Sequence, residues 1–387
     1  MHLCIPTHSL TPGGAERLVL EEVRHFSSQG YTVSLLVPEI DENFVNEIVT
    51  VENINIETIL TGRIPTQVRR IRKYCQTNDV DVVMSDYRIC ESYLATRSLD
   101  VDFVVHINGS PFWFVDNEFL IPHQTKPKFD TIIKEVSGHE QFAIPSGYGL
   151  KNYPRVYAIE WIKKRAVSEA AAVFTLTNRV ADEIEFLYDR RPTAIPAGID
   201  PSWKNKPIQS KPDIFPDTEY VLFNVGRLDP RKRNKLLIRT IAQLANHLDV
   251  GLVIGGSGQQ ADDLQELVNQ NGLDNRVHFP GYIPDDDLPT FYSHADAVAH
   301  PAWVAYGLVP LEAYLMETPV AISTDTMVRE VIEDRTGVKI LEPTVEEWSN
   351  GLHDLLTSNK QPDTSALPTW DEFCQKKEDH LKKVGVM

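Results

Sequence analysis

The chain opens with a short apolar run, Leu3 to Pro6, followed by a glycine-containing loop, Thr11-Pro12-Gly13-Gly14. From there the apolar residues fall at Ala15, Leu18, Val19, Val23 and Phe26, the spacing of one helix face. Gly30 stops that helix, and Thr32 to Val37 reads as the next strand. Strand, helix and strand in this order predict a βαβ unit and hence a parallel sheet. The order recurs in the second half. Val221 to Val225 is a strand, Gly226 to Asn234 a loop, Lys235 to His247 a helix with Leu237, Ile241 and Leu244 on one face, and Gly251 to Ile254 a strand. Two such starts predict two doubly wound domains, each with its own first strand.

Six prolines, Pro192, Pro196, Pro201, Pro207, Pro212 and Pro216, lie between the two patterns. Proline breaks both helix and strand, which places the linker near residues 200–217. A loose stretch from Asn359 to Pro368 precedes a last charged helix pattern, Trp370 to Val384.

The 387 residues are 42% apolar and 24% charged, ordinary composition for a chain that buries a large core. The formal net charge of −17 argues against a general nucleic-acid binder, which needs a basic footprint. Along the chain the charge is uneven. Arg227, Arg231, Lys232, Arg233, Lys235 and Arg239 form one basic island, after which Arg276 is the only Lys or Arg between Thr240 and Val328. A second island, Arg63, Arg69, Arg70, Arg72 and Lys73, is interleaved with Ile64, Val68 and Ile71. That pattern suits either an anionic membrane surface or an ordinary amphipathic surface helix. Cys4, Cys75, Cys90 and Cys374 lie far apart and form no Cys-x-x-Cys pair. With no signal-peptide pattern and no long apolar run, the expectation is a cytoplasmic protein, at most peripheral to the cytoplasmic face of a membrane.

Two segments carry candidate chemistry. Gly226-Arg227-Leu228-Asp229-Pro230-Arg231-Lys232 directly follows a strand, and parallel sheets bind ligands outside the carboxyl ends of their strands. Arg227 can grip phosphate oxygens through two N–H donors and Lys232 adds a point charge, so the pair suits a pyrophosphate. The bland alternative is a solvated loop with surface ion pairs. The second segment, Ala299 to Ala313, reads as a strand end, a loop and a helix start. Pro310 fits the first helical turn, the amides of Leu308 and Val309 would face an anion, and Glu312 could accept hydrogen bonds from ribose hydroxyls.

In the order they occur, these motifs resemble the retaining glycosyltransferases of family 4. Gly13-Gly14-Ala15-Glu16-Arg17 looks like that family's glycine loop, and Ile195-Pro196-Ala197-Gly198-Ile199-Asp200 like the segment closing its first domain. Gly226-Arg227 with Lys232 matches its phosphate-binding pair, and Arg276 to Tyr282 resembles its base-contacting segment. Tyr306-Gly307-Leu308-Val309-Pro310-Leu311-Glu312-Ala313 matches its most specific signature, and Thr369-Trp370 stands at the start of its last helix. The resemblance implies an α/β chain of the GT-B fold, two Rossmann-like doubly wound domains facing each other across a cleft. It implies an acceptor-binding domain over residues 1–205, with helix 370–387 packing back on it, and a nucleotide-sugar-binding domain over residues 206–369. It further implies metal-independent transfer, without cofactor, of a hexosyl group from a nucleotide-diphosphate sugar to a glycan, lipid-linked or polysaccharide acceptor with retention of configuration. Residue by residue, Gly13 and Gly14 would approach the donor, Arg227 and Lys232 neutralise the leaving pyrophosphate, Tyr282 meet the base, and Gly307, Leu308, Val309 and Glu312 hold the nucleotide. His106 would stand at a strand end beside the transferred sugar, against the alternative of a satisfied core histidine.

The sequence departs from the family pattern at two places. Val304 stands where the signature has its first glutamate, a group that touches donor-sugar hydroxyls, and Thr326-Met327 replaces a Gly-Gly pair. Both changes fall on the sugar half of the site, and they support a rival reading as a catalytically impaired protein that binds nucleotide sugar or a partner transferase. Two enzymatic rivals are weaker. Gly256-Ser257-Gly258-Gln259-Gln260-Ala261 fits a dinucleotide fingerprint, but the following strand ends in Pro280-Gly281-Tyr282 without the acid the ribose needs. A glycosidase needs two carboxylates flanking the sugar, and Val304 removes the natural companion of Glu312.

Overall fold

The computed structural model describes residues 1–11, 13–42, 45, 54–111, 153–304, 306–358 and 361–387. Pro12 of the first loop, Ala305 before the signature and Asn359 lie outside the described residues. The described residues form two compact units. One comprises the chain up to Gly198 together with Pro368–Met387, and the other runs from Ile199 to Leu367.

The first unit is built from β1 (His2–Pro6), α1 (Gly14–Ser28), β2 (Thr32–Leu36), β3 (Ile54–Glu57), α2 (Ile64–Thr77), β4 (Val82–Ser85), α3 (Ile89–Thr96), β5 (Asp102–Ile107), α4 (Tyr153–Glu169), β6 (Ala172–Thr175), α5 (Asn178–Tyr188) and β7 (Thr193–Ala194). Its strands form one parallel sheet in the order β3-β2-β1-β4-β5-β6-β7. The central strands read as continuous apolar runs because a parallel sheet is covered on both faces. Accordingly Leu3, Cys4, Ile5, Val82, Val83, Val104 and Val105 are all buried. In α1 the predicted stripe Leu18, Val19, Val23 and Phe26 is buried, and Gly30, at φ +86, turns the chain out with its amide on the Ser27 carbonyl.

The second unit contains β8 (Tyr220–Val225), α6 (Asn234–Leu244), β9 (Val250–Gly255), α7 (Ala261–Gln270), β10 (Val277–Gly281), α8 (Leu288–His294), β11 (Ala297–His300), α9 (Val309–Leu315), β12 (Val320–Ser323), α10 (Arg329–Ile332), β13 (Val338–Leu341) and α11 (Val345–Thr357). Its sheet is also parallel, ordered β10-β9-β8-β11-β12-β13. Strand order reverses between β8 and β11, the place where open α/β sheets leave a crevice at their carboxyl ends.

The proline-rich segment read as a linker is packed rather than free. Trp203 is buried and stacks on Tyr292 with ring centroids 6.4 Å apart, and Phe215 lies 5.5 Å from Phe291. Proline removes ladder donors but not apolar contact area, so the segment clothes the second unit instead of spanning a gap. The last helix, α12 (Trp370–Lys383), starts with a capping box. The Thr369 hydroxyl accepts from the Glu372 amide at 3.2 Å, and Glu372 accepts from the Thr369 amide at 3.3 Å. It packs against α1 within the first unit.

Candidate functional site

The structure sorts the basic island at 227–239. Arg231 pairs with Asp229 at 3.2 Å, Lys235 with Asp263 at 2.8 Å, and Arg233 holds Asp325 through both guanidinium arms at 2.8 and 2.5 Å. Among the described residues no carboxylate pairs with Arg227 or Lys232. Arg227 is exposed just past β8, and Lys232 follows one short turn later, on Pro230–Lys232. The Asp229 side chain caps that turn by accepting from the Arg231 amide at 2.9 Å.

Gly226, between them, has φ +147, and a Cβ there would come within 3.3 Å of Lys232 Cε. The lysine stem therefore lies directly over the glycine at the carboxyl end of β8. Burial pushes the Lys232 ammonium down to about 8; Asp229 opposes that shift, and Arg231 and Arg227 add to it. A bound diphosphate would favour the protonated form. Donor affinity is therefore expected to be flat below about pH 8 and to weaken up to about tenfold per pH unit above it, as the free ammonium loses its proton. Calorimetric titration with a nucleotide diphosphate between pH 6.5 and 9.5 checks this; a flat profile would show that Lys232 does not hold the phosphate.

The loop after β11 forms the other wall. Arg233 is buried and bonds the Pro301 carbonyl at 3.0 Å and Ser323 Oγ at 3.1 Å, besides Asp325. The Thr326 hydroxyl donates to the Ala302 carbonyl at 2.5 Å, and the Met327 amide to the Val304 carbonyl at 3.2 Å. Thr326-Met327, the departure from a Gly-Gly pair, thus pins this loop from below. Gly307 at φ +93 turns the chain into α9, whose first turn carries Leu308 as cap and Val309 and Pro310 inside. Helix-start amides have no acceptor within their own helix. Glu312 is oriented by the Tyr292 hydroxyl, which donates to it at 2.9 Å. Tyr282 stands 64% exposed just past β10, the edge strand.

Gly256 and Gly258 are explained by packing. A Cβ on Gly256, at φ +117, would overlap the Gly226 carbonyl, and one on Gly258 would come within 2.5 Å of the Leu228 carbonyl. The Leu228 amide also donates to the Ser257 carbonyl at 2.8 Å. The fingerprint that suggested a dinucleotide is how the loop after β9 locks onto the loop after β8.

In the first unit Gly13 precedes α1 with extended backbone, so its conformation does not require glycine; a side chain there would instead meet the Glu16 carboxylate. Gly14 is the first residue of α1. Glu16 bonds His8 Nε2 at 2.8 Å, and the His8 ring lies 4.1 Å from that of Tyr87. His106 sits one residue before the end of β5, 1% exposed, with Nδ1 3.3 Å from Glu22 Oε1, 3.2 Å from Lys377 Nζ and 3.8 Å from Asp86 Oδ1. Burial, then the Lys377 charge, pushes the imidazole down to about 4. Glu22, Asp86 and His106 bring three ligand-type atoms within 4.8 Å of one another. The Lys377 ammonium already supplies the cation there, 2.5 Å from Glu22, so the cluster is a buried ion-pair core. The sequence reading missed this group. The signal was present: Trp370, Phe373, Cys374, Lys377, Glu378 and Leu381 share one helical face, which puts Lys377 among apolar residues. In the second basic island, Arg70 bonds the Ile59 and Thr61 carbonyls, and Arg72 the Leu94 and Ala95 carbonyls. Arg63, Arg69 and Lys73 remain exposed. Among the described residues no helix is long and apolar enough to cross a membrane.

Comparison with known proteins agrees with this layout. Residues 205–365 match the family described as glycosyl transferases group 1, and residues 12–203 match Glycosyltransferase Family 4. An alpha-D-kanosaminyltransferase of Streptomyces kanamyceticus is 27% identical over 68% of this chain and 64% of its own length. The chain spans between about half and just under two thirds of the length of the curated relatives it matches first. A sucrose-phosphate synthase of Thermosynechococcus elongatus superposes with a TM-score of 0.74 at 16% identity, covering 99% of this chain and 98% of that one. Anabaena HepE, solved in complex with UDP and glucose, superposes at 0.67 and 16% identity, covering 100% and 96%. These likenesses establish the GT-B fold class, and with a family match over each half the chain belongs to the group 1 glycosyltransferases.

Proposed function

We propose that this chain transfers a hexosyl group from a nucleotide-diphosphate sugar to a glycan, lipid-linked or polysaccharide acceptor, with retention of configuration. The observation that carries this reading is the pair of basic side chains, Arg227 and Lys232, left without carboxylate partners among the described residues at the carboxyl end of β8, beside the switch point of the second sheet. Transfer breaks the bond between the anomeric carbon and a phosphate oxygen, and negative charge builds on the departing diphosphate. Fixed positive groups aimed at that charge lower the barrier. Arg227 and Lys232 fill this role, with the helix-start amides of Leu308 and Val309 alongside. Glu312, held by Tyr292, accepts from the ribose hydroxyls, and Tyr282 offers an aromatic face to the base. HepE's complex with UDP and glucose and the kanosaminyl transfer named for the Streptomyces relative favour a nucleotide-sugar donor. Arg63, Arg69 and Lys73 keep an anionic membrane surface within the acceptor proposal.

Val304 favours one second reading, a protein that binds nucleotide sugar without turning it over. A thermal-shift panel of nucleotide sugars, followed by donor hydrolysis and transfer assays on each stabilising donor, separates the two. A ligand that binds only the folded state raises stability with its concentration. The expected result is stabilisation by one donor class with slow hydrolysis of that donor. Stabilisation without hydrolysis or transfer across an acceptor panel selects the binding protein, and no stabilisation by any nucleotide sugar overturns both.

A further inference from the structure

The Lys232 ammonium stands where a free lysine would not stay. Its Nζ and Cε lie 3.6 and 3.3 Å from the point where a Cβ on Gly226 would be. Burial disfavours the charge there most; Asp229 attracts it, and Arg231 and Arg227 repel it. A long flexible stem relieves such a position by swinging its head group into water. The turn that bears the lysine, Pro230–Lys232, is only three residues long. Something must therefore hold that turn in place.

The next residue does. Arg233 follows Lys232 directly and is buried, 4% exposed. Its backbone is left-handed, at φ +51 and ψ 34, a conformation that is costly for arginine and cheap for glycine. It stands as the cap of α6 but gives that helix no side-chain hydrogen bond. The side chain crosses to the opposite wall instead. Its guanidinium donates to the Pro301 carbonyl at 3.0 Å, just past β11, and to Ser323 Oγ at 3.1 Å, at the end of β12. Both arms hold Asp325, at 2.8 and 2.5 Å. A second tie runs beside it, the Trp303 amide donating to the Arg231 carbonyl at 2.8 Å. On the near side the Lys232 amide donates to the Asp229 carbonyl at 3.0 Å, and the Arg233 amide to the Pro230 carbonyl at 3.1 Å. The turn is thus closed on itself and fastened at its far end to two other strand ends. Glycine would suit the backbone better, but only a long forked cation reaches Pro301, Ser323 and Asp325 at once.

We propose that Arg233 is a positioning residue of the donor site: by fastening the turn to the ends of β11 and β12, it holds the Lys232 ammonium over Gly226 beside Arg227, where both meet one diphosphate. The inference rests on the nucleotide-sugar reading and adds a residue that does not itself touch the donor. Placement matters because a charge-assisted hydrogen bond weakens steeply once distance and angle are lost.

Glycine supplies the test, since it adopts the left-handed backbone without the guanidinium. Arg233→Gly combined with Asp325→Asn removes the fork together with the carboxylate it neutralises, so no charge is orphaned. Calorimetry would measure UDP, GDP, ADP and dTDP binding between pH 7 and 9.5. It would compare the wild type, this double variant, Lys232→Ala and the triple variant, with thermal unfolding alongside. The expected result is a loss of about tenfold at pH 7 for the diphosphate that the wild type prefers. With Lys232→Ala already in place, the same two changes should cost less than about twofold, because the positioned group is gone. The pH profile separates positioning from general support. In the wild type the Lys232 ammonium, faced by Asp229, Arg227, Arg231 and the His300 imidazole, gives a break at about pH 8. Once the turn is released the ammonium returns to water, and the break should move to about pH 9 or above. Equal losses with and without Lys232, an unchanged affinity, or a break that stays at about pH 8 overturn the inference and leave the donor reading standing. A wild type that binds none of the four diphosphates overturns the donor reading and this inference with it. Should the double variant fail to fold, Arg233→Lys, which keeps a cation for Asp325 but not the fork, replaces it in the same cycle, with a several-fold loss expected and the same outcomes deciding.

Discussion

Replacing Arg227 and Lys232 together by alanine should reduce nucleotide-sugar affinity by about 10²- to 10⁴-fold while leaving the fold intact. Hydrogen bonds to charged groups contribute about 1.5–3 kcal/mol each, and the double variant removes two charged anchors at once. Stability should hold because neither residue pairs with a carboxylate among the described residues. Losing Lys232 even removes a partly desolvated ammonium, the same burial that pushes it down to about 8. Arg231→Ala is the matched control. It takes a charge from the same island, but one already paired with Asp229 at 3.2 Å, and should change affinity several-fold at most. Calorimetry with a stabilising nucleotide sugar gives the affinities and thermal unfolding the stabilities. Unchanged affinity in the double variant would remove Arg227 and Lys232 from the donor site, and with them the observation on which the proposed function rests.

The fold class was legible because its signals are local. Strand, loop and amphipathic helix follow one another within each βαβ unit, and the stripe Leu18, Val19, Val23 and Phe26 is buried as its spacing predicts. What was not legible depends on partners far away in sequence. The island at 227–239 shows six positive charges, but only the fold says which are committed: Arg233 meets Asp325 across ninety-two positions. The departure at Thr326-Met327 also has a distant partner, since the Thr326 hydroxyl bonds the Ala302 carbonyl in the loop that Arg233 holds through Pro301. Prolines between 201 and 216 predict a break in regular structure. They do interrupt regular elements, but Trp203 and Phe215 bury their rings regardless, because side-chain contact needs no backbone donor.

Lys377→Met should destabilise the first unit by about 3–5 kcal/mol, the cost typical of breaking a buried ion pair. Lys377 and Glu22 are both fully buried, their charged atoms 2.5 Å apart, and the ammonium also lies 5.4 Å from the centroid of the Phe174 ring and 3.2 Å from His106 Nδ1. Burial alone would raise the Glu22 carboxyl; the Lys377 charge and the His106 contact outweigh it and hold that carboxyl below its ordinary range. Methionine fills the volume but leaves an uncompensated carboxylate beside Asp86, which burial and the Glu22 charge already push up to about 7. The pair joins α12 to α1 across 355 residues, so the loss should fall on the docking of the last helix. Denaturant unfolding followed by hydrogen exchange should show protection falling in α1, β5 and α12 and holding in the second unit. Adding Glu22→Gln should recover part of the loss, since the orphaned charge goes with it, and the two changes should be clearly non-additive. Additive losses, or a Lys377→Met protein as stable as the wild type, would mean that apolar packing of Trp370, Phe373 and Leu381 fastens this helix and that the buried charges contribute nothing to its docking.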